Sequence, residues 1–184
     1  MHIQNNTQAE KFSAWAVCWR YLLKVSGKIS VIVCVLALIC TLAACGSTNA
    51  DMSEYGDTPI VISGLTDEEF VITPRELAEF ECVSRTASGK TAKAGTVNAT
   101  GPLLDTFLAQ YGTCMSDFER IRFIASDNYR VVLKDEYLAE YEVVLAISNG
   151  NKPLIEAHRP LRILIPDADS SMWEYAVVRI EFVT

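Results

Sequence analysis

From residue 58 onward the sequence predicts a mixed α+β fold of small sheets accompanied by short helices. Three observations carry this expectation. Short runs of β-branched and aromatic residues recur along the chain, bounded by Gly, Pro, Asn or Asp. Only two or three stretches place apolar residues at helical spacing, and none is long. The last stretch, 175–183, alternates, with Val178, Ile180 and Phe182 on one face and Arg179 and Glu181 on the other. Many short strands mixed with a few helices define the α+β class.

Taken in order, residues 59–63 form a first strand, of edge type because Pro59 has no N–H to donate. Residues 70–72 form a second. Thr73-Pro74-Arg75-Glu76 starts a helix: a Thr cap, Pro at the first helical position, and Glu three residues after the cap. That helix ends near Phe80. Residues 81–88 and 91–97 make a hairpin turning at Gly89-Lys90. Gly101-Pro102 opens a second helix over 103–111, with Leu103, Leu104, Phe107, Leu108 and Tyr111 at helical spacing and Gly112 as its stop. Residues 120–126 and 129–133 flank Asp127-Asn128 as another hairpin. Residues 135–141 form a short helix, and 143–148, 161–165 and 175–183 are strands.

Residues 1–44 are set apart by composition. The whole chain of 184 residues carries 16 Lys+Arg against 23 Asp+Glu, a net charge of −7. Within 1–44 the balance reverses, with Lys11, Arg20, Lys24 and Lys28 against Glu10 alone, so the body is more acidic than the total. An acidic body lacks the clustered Lys/Arg that a nucleic-acid backbone requires, which excludes nucleic acid as a partner. Half of the residues are hydrophobic, which excludes a disordered chain.

Residues 29–44 carry no charge and follow Lys24 and Lys28, the pattern of an export signal. At helical rise this stretch covers about 24 Å, short of a bilayer core of about 30 Å. It ends in Leu42-Ala43-Ala44-Cys45, which resembles the bacterial lipobox. The resemblance implies cleavage of 1–44, diacylation of Cys45, and an extracytoplasmic protein held to the bacterial membrane by two acyl chains. Residues 1–24 are long for such a signal, and a start near Val25 would account for them. Residues 45–57 are small, polar and acidic and are expected to be the tether, leaving 58–184 as the folded domain.

The mature chain then holds Cys45, Cys82 and Cys114. In an oxidising compartment Cys82 and Cys114 either pair as a disulfide or remain as buried thiols. There is no CxxC and no zinc-ligand spacing.

Ala87-Ser88-Gly89-Lys90-Thr91 ends like a phosphate-binding loop. The first glycine of that motif is replaced by Ser84, and the residues after it favour strand and turn, so a hairpin turn is expected. His158, the single histidine after residue 44, falls in a loop without a serine elbow elsewhere, and no residue is assigned a catalytic role. Asp67-Glu68-Glu69 reads as a solvated turn. Trp173 and Tyr175 read as core and rim aromatics.

Several local patterns then occur in a telling order. They are Thr73-Pro74-Arg75-Glu76-Leu77, Thr100-Gly101-Pro102-Leu103-Leu104 continuing to Tyr111-Gly112, and Phe123-Ile124-Ala125-Ser126-Asp127-Asn128-Tyr129. Leu145-Ala146-Ile147-Ser148-Asn149-Gly150 running to Pro153-Leu154, and Pro160-Leu161-Arg162-Ile163-Leu164-Ile165-Pro166, complete the set. Together they resemble a reduced version of the oxidoreductase molybdopterin-binding domain, the sulfite-oxidase-type fold. In that family the resemblance implies a molybdenum ligand cysteine after the first core strand and cationic residues around the pterin phosphate. Here residues 83–89 contain no cysteine, and residues 167–172 contain Asp167 and Asp169 but no base. The expectation is therefore a non-catalytic binding module without a cofactor, taking an exported protein or a small ligand. The alternative is a molybdopterin-dependent oxidoreductase with Cys82 as metal ligand and His158, Arg159 and Arg162 toward the cofactor. Under the first reading Cys82 points into the core or at Cys114, and Arg162 sits on a strand paired with a carboxylate.

Overall fold

The structure is a computed structural model, and it describes residues 50–89 and 95–184. The expected export signal, Cys45 and the tip of the first hairpin lie outside the described residues. No helix among the described residues is long and apolar enough to cross a membrane.

Strand β1 (Ile60–Ser63) and β2 (Phe70–Ile72) pair antiparallel. Helix α1 (Pro74–Leu77) starts with the expected capping box: the Glu76 N–H donates to Thr73 Oγ1 at 3.2 Å, and the Thr73 N–H donates to Glu76 Oε2 at 2.8 Å. Strands β3 (Cys82–Ser88) and β4 (Thr96–Pro102) form the long hairpin, paired from Cys82–Pro102 to Ser88–Thr96. The hairpin forms with its first strand as expected, but its second strand is Thr96–Pro102 and not 91–97; Lys90 and Thr91 of the phosphate-loop-like motif lie outside the described residues.

Helix α2 (Leu104–Ala109) buries Leu104, Phe107 and Leu108 completely and is stopped by Gly112 at φ +71°. It starts later than expected because Gly101-Pro102 belongs to β4. A Cβ at Gly101 would lie 1.9 Å from the Leu145 carbonyl oxygen, so the glycine serves a close strand contact and not a helix start.

Strands β5 (Arg120–Ala125) and β6 (Arg130–Lys134) alternate inside and outside along their length. Their turn is the expected one, with Asn128 at φ +68°. Helix α3 (Asp135–Glu140) follows. The apolar run after it divides into β7 (Val144–Ala146) and β8 (Ser148–Asn149), which then pairs with β9 (Lys152–Pro153). Strand β10 (Arg162–Leu164) pairs with β7, and β11 (Val177–Val183) closes the chain.

The described residues form three sheets. The largest has the order β2-β1-β11-β5-β6, with β1 and β11 parallel and the other pairs antiparallel; the second has the order β3-β4-β8-β9; the third is the β10-β7 pair. Phe107, Phe123, Ile60, Ile62, Leu145 and Ile163 meet in one core cluster. Every residue of β7 and β10 is buried, which is why β7 reads as an apolar run without alternation, while in β10 the same burial takes in Arg162.

The alternation of β11 differs from the sequence reading at one residue. The register shifts between Val177 and Arg179, a β-bulge, so Val177 is fully buried while Val178 is only half-buried. Ile180 and Phe182 face the core as expected.

The tether reading is corrected for residues 50–57. Tyr55 is 3% exposed; its hydroxyl donates to the Ile147 carbonyl at 2.7 Å and accepts from the Leu154 N–H at 3.0 Å. Arg75 holds Asp57 at 2.8 Å and donates its N–H to the Gly56 carbonyl. A polar, small-residue composition suggested freedom, but one aromatic with two buried backbone partners is enough to fasten the segment. Glu69 in the acidic turn is exposed, as expected, and also pairs with Arg179 at 2.7 Å.

Candidate functional site

A cleft of about 590 Å³ opens where three pieces of chain converge. The β5–β6 turn contributes Ser126, Asp127 and Tyr129, the loop before β10 contributes His158, and the segment leading into β11 contributes Ser170, Ser171 and Trp173 through Ala176.

The third piece is placed by an isolated bridge. Ile163 of β10 and Glu174 exchange both backbone hydrogen bonds, at 2.8 and 3.1 Å. The Trp173 indole N–H donates to the Ile165 carbonyl at 2.9 Å. The bridge sets Arg162 beside Tyr175: its guanidinium carbon lies 4.7 Å from the Tyr175 ring centroid and 5.6 Å from that of Trp173, and one terminal nitrogen donates to the Tyr175 hydroxyl at 3.4 Å. Arg162 is 4% exposed, and its Nε meets no acceptor. Burial lowers its affinity for the proton, and Tyr175 opposes that shift.

His158 also stacks on Tyr175, with ring centroids 4.3 Å apart and planes 25° apart. It is held below the usual imidazole range, first by burial and second by the Arg162 charge, so it enters the cleft as a neutral ring at pH 7. Ala176, next in the chain, donates its N–H to the His158 carbonyl at 3.3 Å and sits at φ +50°, a left-handed conformation that costs a non-glycine residue about 1–2 kcal/mol.

Two carboxylates line the same cleft. Glu174 is 4% exposed. Its Oε1 accepts the Tyr175 N–H at 2.9 Å, while Oε2 is buried without a donor. Burial pushes its carboxyl above the usual range, the Tyr175 N–H opposes this, and the charge of Asp127 adds to it. Asp127 is exposed and accepts the Tyr129 N–H at 2.9 Å. Tyr129 is 61% exposed.

The four residues considered for a cofactor do not converge. His158 and Arg162 share Tyr175. Arg159 is turned away: its Nε donates to the Leu154 carbonyl at 2.8 Å, it pairs with Glu54, and its guanidinium lies 5.0 Å from the Tyr55 ring centroid. Cys82 sits at the first position of β3 opposite Pro102, partly buried against the core, and does not line the cleft. Neither cysteine is in a disulfide; Cys82 is partly buried and Cys114 exposed, so the disulfide alternative is corrected, and so is the burial expected of Cys114. Cys114 faces Ser116 Oγ at 3.1 Å and Asp117 Oδ2 at 3.4 Å. The expected carboxylate partner of Arg162 is also corrected: aromatic faces and a phenol take its place.

Glu174 and Asp127 escaped the sequence reading. Glu174 sits in an alternating Trp-Glu-Tyr stretch that marks a strand, and only the bridge to Ile163 buries it. Trp173 and Tyr175 are the core and rim aromatics that the sequence suggested, Trp173 buried and Tyr175 partly exposed, and both are now placed on the cleft.

No protein-family profile matches the chain, and no curated protein matches it in sequence. Among solved structures, the chain is similar to the sulfane dehydrogenase SoxCD from Paracoccus pantotrophus, with a TM-score of 0.56 at 20% identity over 70% of this chain. The match spans only 38% of that SoxCD chain. At this identity the likeness concerns the fold alone, and the mixed small sheets with short helices are of the expected α+β class.

Proposed function

We propose that this chain is a lipid-anchored, extracytoplasmic binding module, built on a reduced sulfite-oxidase-type fold without catalysis of its own, that takes a small ligand in the cleft beside His158. The observation that carries the reading is the cleft's lining. It presents two carboxylates, Asp127 and Glu174, and a neutral His158, with no lysine or arginine among its lining residues. A pterin phosphate needs cationic or N–H donors, and molybdenum needs a thiolate aimed at it. Carboxylates repel the first, and Cys82 does not line the cleft. The residues of the cleft therefore do not fit a molybdopterin.

The second reading, a molybdopterin-dependent oxidoreductase with Cys82 as ligand, is favoured by one observation: the buried Arg162 leaves Nε without an acceptor beside His158. Elemental analysis and pterin fluorescence on the full chain, exported from a host that makes the cofactor, decide between them. The expected result is no molybdenum at stoichiometric level. One molybdenum per chain overturns the binding-module reading.

Anchoring rests on Leu42-Ala43-Ala44-Cys45. Mass spectrometry of the membrane fraction should find a mature chain beginning at diacylated Cys45, and Cys45→Ser should accumulate unprocessed because the lipid-accepting thiol is gone. A soluble form that keeps residues 29–44 would contradict this.

A further inference from the structure

Resting on the binding-module reading, we infer that the cleft takes an organic cation with N–H donors, a primary ammonium carried on an apolar or aromatic body. Three features point there. The first is Glu174, a carboxyl 4% exposed in the cleft lining whose Oε2 has no donor. A buried oxygen without a partner is costly, and a ligand that brings an N–H recovers that cost. The second is charge. Asp127 lines the same cleft and lies close enough to Glu174 to act on its proton, whereas no lysine or arginine lines it and His158 is neutral. An anionic ligand would meet two carboxylates; a cation is attracted by both, against the single charge of Arg162, which lies on the Tyr175 ring but does not line the cleft. The third is the body of the site. His158 and Arg162 already lie against the Tyr175 ring, and Tyr129 of the β5–β6 turn, 61% exposed, adds an open aromatic surface to the lining. An exposed phenol suits the apolar part of an amine or the cation itself. Ser170 and Ser171 add hydroxyl acceptors for the remaining ammonium hydrogens.

A metal ion is the other cation two carboxylates can suggest. Among the described residues no group of three or more His, Cys, Asp or Glu is placed to hold one. Two carboxylates without further ligands suit an ammonium, which needs acceptors but no coordination sphere. The volume of about 590 Å³ suits a small molecule more than a bare amine.

The test is a titration of the full chain in detergent with 2-phenylethylammonium, and with 3-phenylpropionate as an anion of the same shape, read by calorimetry. The expected result is one saturable site for the ammonium and none for the carboxylate. Glu174→Gln should weaken it at least tenfold, and Asp127→Asn several-fold. Asp127→Asn keeps an acceptor for the Tyr129 N–H in an exposed turn, so it remains informative if Glu174→Gln folds poorly. Absence of ammonium binding, or binding indifferent to both substitutions, overturns the inference. If 3-phenylpropionate binds instead and His158→Ala abolishes it, the binding module stands and the cationic assignment falls. Stoichiometric molybdenum in the same preparation removes both.

Discussion

At the scale of single residues, His158 and Glu174 carry opposite pH signatures. The fold holds His158 below its ordinary value of 6.5, by burial and then by Arg162. On acidification the unfolded chain takes this proton first, so stability is lost as pH drops below about 6.5 toward the folded value. Glu174 is held above its ordinary value of 4.5, chiefly by burial. The folded chain keeps that proton longer, so stability is lost as pH rises from about 4.5 toward the folded value. Substitution separates the two. Glu174→Gln keeps an acceptor for the Tyr175 N–H and removes a buried charge, and should stabilise the chain by about 1 kcal/mol at pH 7 but little at pH 4. His158→Phe keeps the stack on Tyr175 and should flatten the loss between pH 7 and pH 5. Urea unfolding at the three pH values measures both; an Glu174→Gln gain that is the same at pH 4 and pH 7 would refute the burial argument.

Among the elements, β4 and β7 approach closely at Gly101. Gly101 lets the Leu145 carbonyl come to where a Cβ would stand, and the Ile147 N–H donates to the Thr100 carbonyl at 2.9 Å beside it. Gly101→Ala must push the two strands apart, against a core in which Leu104, Leu145 and Ala146 are fully or almost fully buried. The expected cost is about 3 kcal/mol, measured as a lowered urea midpoint. The bulge in β11 acts at the same scale. By moving the buried position to Val177 it turns the chain entering β11, where Ala176 hands its N–H to His158 and closes one side of the cleft.

Across the whole molecule, the N-terminal segment and the site loop are fastened to each other. Tyr55 bridges the carbonyl of Ile147 and the N–H of Leu154, Arg159 lies over its ring, and Glu54 pairs with Arg159. Four residues separate Cys45 from Ala50. On the proposed lipid anchor, the loop bearing His158 is therefore tied through Tyr55 to a segment close to the bilayer. Tyr55→Phe strips two buried backbone groups of their partner and should destabilise the chain by about 2 kcal/mol. Hydrogen exchange should report the loss first at Leu154 and in the loop toward His158; protection unchanged there would mean that the segment packs without supporting the loop.

Much of the local structure was legible in the sequence because its causes are local. The Thr73–Glu76 capping box, the Asp127-Asn128 turn, the Gly112 stop and the alternation of β5 and β6 each depend on residues within a few positions of one another. The order of elements and the class of fold followed from them. The tertiary structure decided what depends on distant partners. Polar composition made 50–57 a tether until Tyr55 found Ile147 and Leu154, roughly a hundred residues away. Spacing left Cys82 and Cys114 free to pair, and the fold set one against the core and the other in solvent. Arg162 lacks a carboxylate because the Ile163–Glu174 bridge sets it among aromatic rings. The same bridge buries Glu174 with an unmet oxygen, and no pattern in the sequence records it, because burial is a property of what packs against a residue and not of its neighbours in the chain.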